Sequence, residues 1–169
     1  EAGDVEAALA WTSVARGASN IDPFEVAWIE GLSVLARDTG ASAGSDEVAR
    51  RIVEAAGDDN RRAAAVKLLS LWTVFDIAAP AEGRALMAAQ RGGDGDRISP
   101  WAILSIDAAA QDAAAAEAIL RILTHTRGDP SDIGATEIAA MADALVVLNA
   151  QTAARLLTLE ATGYWKASL

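Results

Sequence analysis

The chain contains no cysteine. That absence excludes disulfide staples, thiol nucleophiles and cysteine metal sites, and it leaves periplasm and cytoplasm both open as compartments. Histidine occurs once, at His125, and nothing nearby in sequence completes a dyad or a ligand set around it. β-Branched residues and aromatics other than tryptophan are sparse, which argues against a sheet protein. No apolar run approaches the length of a membrane span, and no stretch has the pattern of a signal peptide. A Walker loop, a nucleophile elbow and a dinucleotide fingerprint are all missing. Basic residues are too few to balance the acids: the net charge is −10, with acids spread along the whole chain. Such a surface repels a phosphate backbone, so nucleic acid is not an expected partner; the plain role of the charge is solubility.

What is present points to helices. The 169 residues suffice for one domain with a real core. Of the 52% hydrophobic residues many are alanine, the best helix former, which adds little burial per residue. Five tryptophans stand against one tyrosine and two phenylalanines, and large indoles suit the space between alanine-lined helices. The chain starts at Glu1 rather than Met, which suggests a processed form or a fragment.

The stretch Ser99–Thr126 reads as a pair of helices packed back to back. Ser99-Pro100 joins a capping hydroxyl to a proline at the first helical position. Trp101, Leu104 and Ala108 then mark an inward face, Gln111-Asp112 breaks the pattern and caps a second helix, and Ala113, Ala116, Leu120 and Leu123 continue inward, widened by Ile119 and Ile122. With almost no loop between them, these helices should be antiparallel neighbours.

The rest varies this theme. Asp4 caps a first helix with Val5, Ala8, Leu9 and Trp11 inward, ending near Arg16-Gly17. Asp22-Pro23 opens a second, carrying Phe24, Ala27, Trp28, Leu32 and Leu35. A small-residue loop at Gly40–Gly44 precedes a helix over Glu47–Ala56, with Val48, Ile52 and Val53 apolar. Asp58 and Asp59 cap Asn60–Asp76, the most apolar helix, with Ala64, Leu68, Leu71, Trp72 and Phe75 on one face. Pro80 opens a helix with Leu86 and Met87 inward. Beyond Asp129-Pro130, a long helix from Ile133 or Thr136 carries Ile138, Met141, Leu145 and Leu148. A last helix carries Ala153, Leu156, Leu157 and Ala161 and ends at Gly163.

These helices sort into two alternating kinds. One kind opens with Asp-Pro, Asp-Asp or Ser-Pro and carries Trp28, Trp72 and Trp101. The other is shorter and richer in Ala and Arg. Starts of the first kind recur at roughly 30–40 residues, the range of helical-hairpin repeats, and hairpins apolar on two sides need stacked neighbours. The chain resembles the tetratricopeptide-type α-solenoid superfamily. The small residues Ala8, Ala49, Ala85, Ala116 and Ala154 are candidates for tight crossings in the second helices, while the aromatic positions of the family pattern are not reproduced. The resemblance implies an all-α fold spanning residues 1–169: a right-handed superhelix of stacked antiparallel hairpins, with eight or nine helices. An irregular helical bundle is the alternative.

Chemistry is hard to find in these residues. His125 sits where a helix ends, a place that suits a cation. The loop Gly92-Gly93-Asp94-Gly95-Asp96 is rich in carboxylates, but the alternating acids and closing Glu of a calcium loop are missing. Glu25, Glu30, Asp107, Glu117, Glu137 and Asp143 lie in or beside apolar stripes. Paired carboxylates run glycosidic chemistry, but ordinary solvated faces account for these six, and Glu-x-x-His pairs of a di-iron bundle are absent. Glu30-Gly31-Leu32-Ser33 is faintly similar to the Glu-Ser start of lytic transglycosylase sites, without the surrounding motif. Tyr164 and Trp165, in a short tail beyond Gly163, are the candidate anchors for a partner. The expectation is a non-catalytic scaffold for a protein or peptide partner, without metal or cofactor. The competing expectations are a helical module of a bacterial cell-envelope enzyme whose catalytic residues lie elsewhere, and a bundle holding an apolar ligand. The apolar first helix, with Val14 adding to its surface, suggests further helical repeats upstream.

Overall fold

A computed structural model describes residues 10, 12–18, 20–37, 44–89, 97–126 and 129–163. Among them there is no β-strand. Helical residues at 12–15 are followed by eight α-helices: α1 (Pro23–Ala36), α2 (Ser45–Ala55), α3 (Asp59–Trp72), α4 (Ala81–Ala89), α5 (Pro100–Gln111), α6 (Ala115–His125), α7 (Ala135–Val147) and α8 (Gln151–Ala161). Short 3-10 turns at Thr73–Phe75 and Pro130–Asp132 extend α3 and precede α7. The chain divides into two units, Glu1–Arg91 and Gly92–Leu169.

In the first unit, α1 packs on α2 and α3, and α4 packs on α2 and α3. Helix starts follow local chemistry. The Asp22 carboxylate accepts from the Phe24 amide at 2.9 Å with Pro23 at the first helical position, and Asp58 accepts from the Arg61 amide at 2.9 Å. Each satisfies an amide that the first turn leaves without a helical acceptor. Leu35, Ile52, Leu68, Leu69, Leu71 and Trp72 are fully buried. Gly31 is where α1 comes closest to its neighbours. A Cβ there would stand 2.7 Å from Ile52 Cδ1 and 2.8 Å from Leu68 Cδ2, closer than carbon atoms tolerate. The indole Nε1 of Trp72 donates to the Gly31 carbonyl at 3.3 Å, so the largest buried side chain has its polar atom satisfied.

In the second unit, α5 packs on α6 and α7, α7 on α8, and α6 only lightly on α7. Three residues join α5 to α6 and three join α7 to α8. Packed helices with so short a connection run antiparallel. Both connections use one device. Ala113 and Asn149 adopt left-handed φ values of 55° and 59°. The Ala114 amide then reaches the Ala109 carbonyl at 2.8 Å, and the Ala150 amide reaches Leu145 at 2.8 Å. This is the six-to-one hydrogen bond of a Schellman cap. Asp76 repeats it after α3, with φ 57° and Ile77 bonded to the Trp72 carbonyl at 3.1 Å.

Several expectations from sequence are corrected here. Trp101, Leu104 and Ala108 face water, and α5 turns Ile106, Ala109 and Ala110 inward instead. On α6, Ala116, Ile119, Leu120 and Leu123 are exposed while Ala118 and Ile122 are buried; Ala113 lies in the turn. Ala65, not Ala64, is the buried alanine of α3, and on α8 Ala154 and Leu157 are buried while Ala153 and Leu156 are exposed. Ala49 and Ala154 are buried, but Ala85 and Ala116 are exposed, and Gly83 and Ala118 are the buried small residues of their helices. Neither Ser99 nor Asp112 makes a side-chain cap; Asp129 caps the 3-10 turn through the Ser131 amide at 2.8 Å, not α7 directly. Val5, Ala8, Leu9, Trp11 and the Gly92–Asp96 loop lie outside the described residues.

Candidate functional site

The feature that departs most from an ordinary surface is a set of large apolar side chains exposed on the α5–α6 hairpin. Trp101 and Leu104, one turn apart on α5, are 79% and 56% exposed. Leu120 and Leu123, one turn apart on α6, are 66% and 60% exposed. Both pairs follow from helical spacing: each points away from buried residues of its own helix, Ile106 and Ala110 on α5 and Ala118 and Ile122 on α6. The hairpin is therefore apolar on two sides. Arg121 links its helices, donating to the Ser105 hydroxyl at 3.1 Å and to Glu117 Oε1 at 2.6 Å. Single exposed leucines are normal on a protein surface; four large apolar groups exposed on one hairpin exceed that background.

The second cluster surrounds Glu30, which is 2% exposed and not on the solvated face that sequence suggested. Its Oε1 accepts from Arg16 Nε at 2.6 Å, and Arg16 Nη2 also pairs with it. Its Oε2 accepts from Arg51 Nη2 at 2.5 Å. Arg51 reaches on to Glu47 at 3.3 Å, and Arg50 pairs with Glu47 at 2.8 Å. Glu30 is thus occupied on both oxygens by guanidinium groups from two different elements. A glycosidic acid–base pair needs a second carboxyl group across a gap sized for substrate. Here the nearest carboxylate partner in the network, Glu47, is reached only through the shared arginine. The cluster ties residues near 16 to α1 and α2.

The other acids stay apart from chemistry. Glu25, Asp107, Glu117 and Asp143 are exposed and Glu137 half-buried. His125 is exposed in the last turn of α6. Among the described residues no group of His, Asp and Glu is arranged to hold a metal, and no helix is long and apolar enough to cross a membrane. Tyr164 and Trp165 lie outside the described residues. Trp28 is half-buried, stacked on Phe24 with centroids 5.7 Å apart, and Arg61 covers the Phe24 ring at 5.5 Å while pairing with Asp22. These contacts fasten the start of α1 to α3. The exposure of these four residues was missed from sequence because they carry the right spacing for a core. The available signal was the second apolar stripe on α6, where Leu120 and Ile122, two residues apart, fall on opposite sides.

Comparison with known proteins gives no match to a family model, to a curated protein or to a solved structure.

Proposed function

We propose that this chain is a non-catalytic helical-hairpin-repeat protein, of the tetratricopeptide-like kind, that serves as a scaffold for protein–protein interaction. The observation that carries this reading is the exposure of four large apolar side chains on one hairpin, Trp101, Leu104, Leu120 and Leu123. Large apolar groups held in water on rigid helices have a favourable contribution to make only when a partner covers them.

The repeat part of the reading draws on spacing. The second helix of each hairpin begins at residues 45, 81, 115 and 151, intervals of 34–36 residues. First helices pack on first helices within each unit, α1 on α3 and α5 on α7, as stacked hairpins require. The buried small residues Ala49, Gly83, Ala118 and Ala154 recur at the same 34–36 interval, one on each second helix.

The test is site-directed photo-crosslinking in cells that make the protein. A crosslinking side chain replacing Leu120 should give a saturable adduct of one mass, competed by the unlabelled chain. The same side chain replacing the exposed Thr136 on α7 should not. Equal labelling from both positions, or none from position 120, would sink the scaffold reading.

A further inference from the structure

We draw no further inference here: the strongest candidate, the surface patch of exposed Ile119, Leu120 and Leu123 on helix α6, carries nothing because nothing in the structure shows what covers it.

Discussion

Ala113 holds a left-handed backbone at φ 55°, a conformation in which its Cβ is crowded and glycine is at ease. Ala113→Gly should therefore raise stability by about 0.5–1 kcal/mol, and Asn149→Gly by less, because asparagine tolerates the same region. Urea titration of the two variants checks the order; a destabilised Ala113→Gly would contradict the cap geometry. Trp72 is fully buried with its indole nitrogen bonded to Gly31, so Trp72→Ala should cost about 3–5 kcal/mol through the cavity it opens. An unchanged melting temperature would contradict its central placement. For Glu30, a glutamine keeps one accepting oxygen but sets an NH2 donor against the other guanidinium and removes the charge that both arginines share. Glu30→Gln should cost about 1–3 kcal/mol, read from the shift in denaturation midpoint. His125 is exposed at a helix end, and His125→Ala should change stability by no more than about 0.5 kcal/mol.

At the scale of the element, the orientation of α6 is the sharpest test. Ile122 is buried on a helix that packs on α5 and α7, while Leu120, two residues earlier, faces water. Ile122→Ala should cost about 2–5 kcal/mol, and Leu120→Ser should stay within about 0.5 kcal/mol. Reversed costs in thermal melts would mean that the helix is rolled the other way. This is also where reading from sequence reached its limit. The starts of α1 and α3 were legible, because an aspartate cap acts within one turn and Asp22 and Asp58 do what their type predicts. The inner face of α7 was legible too: Ile138, Met141 and Leu145 stand out against alanine and are buried. The roll of α5 and α6 was not. Both helices are apolar on two sides, and alanine between the large residues gives the pattern no phase. Nor did the sequence mark the turn between them, since alanine is not a residue that signals a left-handed cap. The exposure of the candidate residues was hidden for the same reason, these residues having been assigned to the core.

For the molecule as a whole, helices pair with their neighbours or next neighbours along the chain, within each unit. Contacts so local in sequence predict refolding in microseconds to milliseconds, and a stopped-flow trace dominated by a phase of seconds would argue against the helix pairing. The small residue buried on each of α2, α4, α6 and α8 carries a different consequence, for how this protein can change over generations. Gly83 leaves 3.1 Å between a would-be Cβ and Leu69, and Ala49, Ala118 and Ala154 have no exposed surface. A lineage drifting from this sequence is free to exchange the acids of its surface, but these four sites admit little beyond glycine, alanine and serine. Diverged relatives will therefore keep a sparse beat of tiny side chains, 34–36 residues apart, long after the rest of their letters have ceased to align.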